Sequence, residues 1–407
     1  METVTFPGGA DMEVRGKHLP RFSDGGVLRG VIGAELTPEN LAALGVVLGT
    51  EGKTALGWSG GGGAVMLARA LGAGINAGGG AVLTHDGCCP AAAAWLGEYY
   101  ALPASLFVEQ NGEQAYLRWF DRRGMSAGTE AMRRLEHQLG TGGQTHADAG
   151  RVGQWEHLTG VNSSYAADAA RRVRRELRQT PTVSVPGESS WDQALADLLE
   201  RIGCRVLRHH APDVPAFSAV HGGFRLEAVL EDGAFAGAER LLTLVALLEL
   251  ERGRPVAVPA SAPAVLERAG GPVLRLGRDR EAEGIYAASP WLRDALFAAG
   301  YLAAAMGAEN TTLADLLSRL PKFTLRLREI PLRRSQAELM DAFTGQFRRA
   351  EPAGNGVRLS AGAGWVYVAP LLRRQAVRLQ AEGADAEIAE ELCIFYENEI
   401  RRLDRGK

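Results

Sequence analysis

Cysteine is scarce in this chain: four residues in 407, of which Cys88 and Cys89 are adjacent. Adjacent cysteines make poor geometry for a mutual disulfide, and no C-x-x-C spacing offers a thiolate metal site. A reduced, cytoplasmic setting is therefore expected. Long apolar runs are also missing. The longest, Leu241 to Leu250, is too short to cross a bilayer. The segment Met1 to Phe22 is polar and carries Pro7 and Pro20, so no signal peptide is expected there. No large charge of either sign is present. A net charge of −3 gives no electrostatic reason to expect nucleic acid or a membrane surface as partner. The phosphate-binding signatures fail as well: there is no Walker lysine and no G-x-G-x-x-G in register after a strand.

What is present is a 46% hydrophobic chain long enough for several buried cores. At roughly 100–150 residues per domain, three or four domains are expected. Thr37-Pro38 reads as a helix start, with threonine as cap and proline in the first turn. That helix runs to about Leu48. Strands are expected at Thr54 to Gly57 and Ala81 to Thr84, with a turn at glycines 60 to 63 and a helix from Ala64 to Leu71 between them. Short apolar strands alternating with helices point to a doubly wound parallel sheet. The polar stretch Gly140 to Gly153 reads as a boundary, and a helix is expected over Ser164 to Arg178. Then Thr182 to Val185, Ser190 to Ile202 and Arg205 to His209 make a strand, helix and strand. Ser190 and Gln193 have capping-box spacing, and Trp191, Leu195, Leu198 and Ile202 line one helical face.

A third unit begins near Arg254-Pro255. It holds strands at Val256 to Val258 and Val273 to Leu276, and helices at Ala262 to Ala269, Pro290 to Met306 and Thr312 to Leu320. Pro321 to Pro331 reads as the connection into a last unit. There Val357 to Leu359 and Trp365 to Val368 alternate as antiparallel strands, and Asp385 to Leu403 forms a final helix with Leu392, Tyr396, Ile400 and Leu403 on one stripe.

One segment carries a resemblance. Val220-His221-Gly222-Gly223-Phe224-Arg225 precedes Leu226-Glu227-Ala228-Val229-Leu230-Glu231-Asp232-Gly233. This is similar to the alpha-D-phosphohexomutases, whose loop D-G-D-x-D-R is followed by a strand and an acidic turn. The arginine is kept, and the three family aspartates read Val220, Gly222 and Phe224. Gly30 to Glu39 resembles the segment after the family's G-I-R-G, Gly57-Trp58-Ser59-Gly60-Gly61 stands where it has G-R-D-x-R, and Leu67 to Gly80 looks like its glycine-spaced helix. Counting back from Trp119-Phe120-Asp121, the family's phosphate-carrying serine falls near Val108 or Glu109. Leu106 to Gly112 holds no serine, threonine, cysteine or histidine. Glu281-Ala282-Glu283-Gly284 is the nearest match to the sugar loop G-E-x-S-G-H. Trp365 to Gln375 aligns with the phosphate loop R-P-S-G-T-E-P, of which only Pro370 remains, with Leu371 and Leu372 beside it.

The resemblance implies three similar α/β domains and a C-terminal α+β domain around a central cleft, with boundaries at 1–145, 146–253, 254–330 and 331–407. It also implies a phosphosugar mutase whose serine and Mg²⁺ ligands are missing. A valine cannot carry phosphate, and Val220, Gly222 and Phe224 give a hard cation no side-chain oxygen. The expectation is a catalytically inactive homologue, a pseudoenzyme with a binding, regulatory or scaffolding role. The alternative is a phosphomannomutase or phosphoglucomutase type of enzyme with altered site residues. No cofactor is expected, and Mg²⁺ belongs only to that alternative. Apolar Trp58, Phe224, Leu371 and Leu372 suggest a collapsed cleft or a protein partner such as an active mutase. Arg225, Arg373, Arg374 and Arg378 are the candidates for holding a sugar phosphate, with Arg378 alone read as structural.

Other residues read two ways. Glycines 60 to 63 could cradle a phosphate or form a plain turn. Arg171, Arg172, Arg174, Arg175 and Arg178 could bind an anion or be a solvated face beside Asp168 and Glu176. His209, His210 and His221 have no metal spacing. Ser59 or Ser105 as a replacement nucleophile would need a base such as His85.

Overall fold

The computed structural model describes residues 22, 26–141, 145–277, 279–362, 364–371 and 374–406. Arg373 and Leu372 lie outside these described residues. The chain divides into two compact units between Thr159 and Gly160.

The first unit runs β1 (Val27–Val31), α1 (Pro38–Gly49), β2 (Thr54–Ser59), α2 (Gly62–Ala77), β3 (Val82–His85), α3 (Pro90–Tyr99), β4 (Ala104–Asn111), β5 (Gln114–Phe120), α4 (Thr129–Gly140) and β6 (Trp155–Leu158). These strands form one six-stranded sheet in the order β1-β5-β4-β2-β3-β6. The expected parallel sheet is its core, because β4, β2, β3 and β6 are mutually parallel. β5 runs antiparallel to both its neighbours, β4 and β1, and the two-residue loop that joins β4 to β5 cannot make a crossover. Gly112 takes the first loop position at φ +60°, where a type II′ turn needs glycine. The polar stretch after α4 does not end the unit. Trp155 to Leu158 pairs with β3, so the division falls later than the expected 145.

The α1 start is as read: Thr37 Oγ1 accepts the Asn40 N–H at 3.3 Å, and Pro38 follows the cap. The second helix begins earlier and ends later than its expected Ala64 to Leu71, so Gly72 and Gly74 lie inside it. The two helices meet backbone to backbone. A Cβ on Gly45 would sit 2.2 Å from the Leu71 carbonyl oxygen, and one on Gly74 2.1 Å from that of Ala42.

The second unit opens with α5 (Val161–Val173), β7 (Thr182–Ser184), α6 (Ser190–Arg201), β8 (Arg205–Leu207), β9 (Ala216–Val220), β10 (Arg225–Val229), β11 (Phe235–Ala236) and α7 (Ala238–Glu251). Its first sheet has the order β11-β10-β9-β7-β8, with β7 parallel to β8 and β9, and β9, β10 and β11 antiparallel. Then come β12 (Val256–Val258), β13 (Val273–Arg275), α8 (Arg280–Ala288), α9 (Ala295–Glu309) and α10 (Leu313–Ser318). The segment Ala262 to Ala269, expected as a helix, is only a short 3-10 turn, Ala264–Arg268. The expected helix Pro290 to Met306 is broken at Asp294, which caps α9. The chain ends in β14 (Thr324–Pro331), α11 (Gln336–Gln346), β15 (Glu351–Ala353), β16 (Gly356–Ala361), β17 (Gly364–Pro370), β18 (Ala376–Gly383) and α12 (Ala386–Asp404). These last strands make an antiparallel sheet, β14-β18-β17-β16-β15. The supposed connector Pro321 to Pro331 is thus largely its edge strand.

Two helix ends differ from the sequence reading. The box at α6 uses Ser189 and Asp192, one residue before the expected pair. The first helix of this unit stops at Val173, leaving Arg174 to Arg178 outside it. The final helix follows its expected stripe, with Tyr396 and Ile400 in the core and Leu392 and Leu403 packed against it.

A buried carboxylate ties the 3-10 turn to the last sheet. Glu382 Oε2 accepts the Ala264 N–H at 2.6 Å and Oε1 the Val265 N–H at 3.0 Å. Gln380 Nε2 donates to the Ser261 carbonyl beside it at 2.6 Å. A Glu382→Ala change orphans two buried backbone donors and should cost about 2 kcal/mol in urea unfolding. Amide exchange at Ala264 and Val265 should accelerate in the same variant; unchanged rates would mean the carboxylate does not hold the turn.

Candidate functional site

Val108 and Glu109, the expected place of the family serine, lie in β4 of the β4–β5 hairpin. Val108 is 1% exposed and points into the core of the first unit with Leu56, Leu67 and Leu117. Glu109 faces the other way, where its Oε2 accepts a 3.0 Å bond from Arg118 Nε. The hairpin therefore presents a packed valine and an ion-paired glutamate, and neither is a poised oxygen nucleophile. Ser105 is fully buried and donates its hydroxyl to the Ala93 carbonyl at 2.7 Å. His85, the base that a replacement serine would need, is 4% exposed. Its Nδ1 accepts the Gly87 N–H at 3.0 Å, so the proton sits on Nε2, which has no hydrogen-bond partner among the described residues. Burial pushes its pKa down to about 4, against the pull of Asp86.

Glycines 60 to 63 open α2, and its first amides would suit an anion. The place is taken. Gln110 Oε1 accepts the Ala64 N–H at 3.1 Å, and its amide nitrogen donates to the Gly112 carbonyl at 3.0 Å. Cβ atoms on Gly60, Gly61 and Gly63 would all come within 3.0 Å of Gln110. The glycines are small because a side chain of β4 lies across them. Gln110 carries no signal in the sequence, because only the pairing of β2 with β4 brings it to the helix.

The segment expected to match the metal loop, Val220 to Arg225, spans the turn between β9 and β10. His221, Gly222 and Gly223 have φ of +54°, +72° and +88°. Only His221 is strained by this, since glycine adopts it freely. Val220 ends β9, and Arg225 begins β10 opposite it. Phe224 and Arg225 line a cavity of about 20 Å³ with Leu241, Trp291 and Asp294. Asp294 is fully buried; its carboxylate accepts the Tyr165 hydroxyl at 2.6 Å and the Leu296 N–H at 2.9 Å. Burial raises its pKa to about 6, opposed by those hydrogen bonds. A hard divalent cation does not fit the turn, which offers an aromatic ring and an imidazole in place of carboxylates. Among the described residues, no group of three or more His, Cys, Asp or Glu side chains is placed to hold a metal ion.

The remaining candidates separate. Arg374 Nη1 and Arg378 Nη2 both reach Glu329, at 2.9 and 3.5 Å, so the structure brings these two together on one carboxylate. Arg225 belongs to the other sheet, beside Trp291 and Asp294. Glu281 to Gly284 lies in α8, with Asp279 accepting the Glu281 N–H at 2.8 Å, so the sugar-loop match is helix rather than loop. Trp58 packs against the first unit's core, and Leu371 follows β17 in a turn where its N–H donates to the Ala376 carbonyl. Of the arginine cluster, Arg171 and Arg172 hold buried Asp168 at 2.5 and 2.8 Å. His209, His210 and His221 are exposed.

With this geometry in view, comparison with solved structures is decisive for the fold. A phosphoglucomutase/phosphomannomutase family protein from Burkholderia thailandensis superposes with a TM-score of 0.70 at 16% identity, over 93% of this chain and 95% of that one. The open form of pp63/parafusin, a phosphoglucomutase from Paramecium, gives 0.64 at 9% identity, over 95% and 96%. A serine-to-alanine variant of N-acetylphosphoglucosamine mutase from Aspergillus fumigatus, in complex with glucose 1,6-bisphosphate, gives 0.53 at 10%, over 95% and 96%. No protein-family model and no curated protein sequence matches the chain. The chain has the fold of the alpha-D-phosphohexomutases, along nearly its whole length. No helix among the described residues is long and apolar enough to cross a membrane.

Proposed function

We propose that this protein is a phosphohexomutase fold without mutase chemistry, serving as a binding, regulatory or scaffolding protein. The reading rests above all on the β9–β10 turn. There Val220, Gly222 and Phe224 stand in place of carboxylates, and Phe224 lines a small, largely apolar cavity. Phosphoryl transfer gains most of its rate from positioning and charge stabilisation, and this turn supplies no charge to a metal. The packed hairpin at Val108 and the Gln110 plug support the same reading. A protein partner, an active mutase being the candidate, and a sugar phosphate at Arg225, Arg374 or Arg378 are the ligands proposed.

The test is direct. Purified protein is given glucose 1-phosphate, mannose 1-phosphate or glucosamine 1-phosphate, with Mg²⁺ and the matching bisphosphate. No 6-phosphate should form above the level without protein, and intact-mass spectrometry should show no phosphorylated chain. Turnover that disappears in Glu109→Gln would replace this reading with that of an altered enzyme.

A further inference from the structure

A cavity of about 200 Å³ opens in the first unit, beside the end of β5 and along α4. Gly128, Ala131, Leu135 and Gln138 line it at three- and four-residue steps, so one face of α4 makes its long wall. Two of these residues are small. Nothing lies within 4 Å of the place that a Cβ on Gly128 would take. Trp119, Ala127 and Leu135 give the cavity an apolar lining, and all three belong to the buried core of the unit.

Glu51, just past the end of α1, and Arg134, in the second turn of α4, both line the same cavity. Burial raises the pKa of Glu51, and the charge of Arg134 pulls it back down, so the two groups are within electrostatic reach. They do not close on each other. Among the described residues Glu51 accepts no side-chain hydrogen bond and forms no ion pair. Arg134 makes one loose contact, 3.8 Å to Glu130 on the solvated side of its own helix. Ion pairs at a surface gain little by closing, so the separation leaves both groups open to a ligand. The other lining carboxylate is committed: Asp121 Oδ1 accepts the Arg123 and Met125 N–H groups, both at 2.9 Å.

We propose that this cavity binds a free α-amino acid with an apolar side chain. The ammonium group donates to Glu51, and the carboxylate accepts from Arg134. An α-amino acid carries its two charges on neighbouring atoms of one carbon, which suits a carboxylate and a guanidinium that stand near each other without touching. The side chain lies on Trp119 and Leu135, in the space left by Gly128 and Ala131. The cavity is smaller than the sites that hold drug-sized ligands, so its occupant is small. Burial of the apolar side chain supplies affinity, and the two opposite charges supply specificity. None of the residues proposed for sugar-phosphate binding or for lost catalysis lines this cavity, so it is independent of the proposed function.

The experiment is isothermal titration of the full chain with L-leucine at low ionic strength. Saturable one-site binding is expected with Kd below about 1 mM. Isoamylamine lacks the carboxylate, isocaproate lacks the ammonium and glycine lacks the side chain; each should bind about tenfold more weakly or worse. Glu51→Gln and Arg134→Gln alter side chains at the rim and should leave urea unfolding unchanged, while each weakens leucine by about tenfold. Arg374→Ala should not change leucine binding. The proposal is overturned if leucine shows no saturable binding, if any of the three analogues binds as tightly, or if affinity is unchanged in either Glu51→Gln or Arg134→Gln.

Discussion

Gly74→Ala should lower the unfolding free energy of this protein by about 2–3 kcal/mol, although alanine is the better helix former by about 1 kcal/mol. The reason is the contact between α1 and α2. The new methyl would sit 2.1 Å from the Ala42 carbonyl oxygen, which is backbone and cannot rotate away. Gly45, Gly49 and Gly78 make the same kind of approach, each at 2.2 Å from a carbonyl of the facing helix. The helices would have to separate along their contact, opening gaps beside Leu41, Leu44 and Leu71 in the core. Gly284→Ala is the control. Gly284 is in α8 with nothing within 4 Å of its absent Cβ, so alanine there should stabilise by about 0.5–1 kcal/mol. Urea unfolding of both variants decides the matter. A neutral or stabilising Gly74→Ala would mean that the two helices are not held this close.

The second large effect is a loss of stability in acid that passes through His85. Its folded pKa of about 4 lies below the ordinary histidine value of 6.5. Between those values the unfolded chain binds the proton and the folded chain does not, so stability rises with pH across this window. The contribution is complete above the unfolded pKa and falls away from about pH 6.5 toward pH 4, by roughly 3 kcal/mol in all. The physical cause is burial away from water. The ring lies against Phe107 and over Gly57, where a Cβ would come 2.4 Å from Cε1, and its Nδ1 is taken by the Gly87 N–H. A second proton would break that bond and bury a charge, with His157 adding repulsion and Asp86 only partly offsetting it. His85→Gln keeps an acceptor and cannot titrate. Its stability deficit relative to the parent should shrink by roughly 3 kcal/mol between pH 7 and pH 4. Parallel stability curves for the two proteins would show that the ring is not excluded from protonation.

Much of the fold is legible in the sequence because its signals are local. Thr37-Pro38 marks its helix start, the alternation in Val357 to Val368 marks its antiparallel pair, and the stripe through Tyr396 and Ile400 marks the buried side of the last helix. Trp155 to Leu158 and Thr324 to Pro331 escape a sequence reading because they are edge strands. Most of their residues are exposed or half-buried, so a hydrophobic pattern has nothing to follow. Asp294 is hidden inside an expected helix, although an aspartate ahead of Ala295-Leu296-Phe297 is a capping signal that could have been read.

The candidate site divides in the same way. Residue identity alone removes the carboxylates at 220, 222 and 224 and the hydroxyl near 108, because a side chain without oxygen cannot ligate Mg²⁺ or carry phosphate. Pairing across distant segments decides the rest: that Gln110 fills the glycine turn and that Arg374 and Arg378 share Glu329. Composition fixes which chemistry a chain can perform. Which groups meet depends on strand order and helix packing, which no local window of sequence contains.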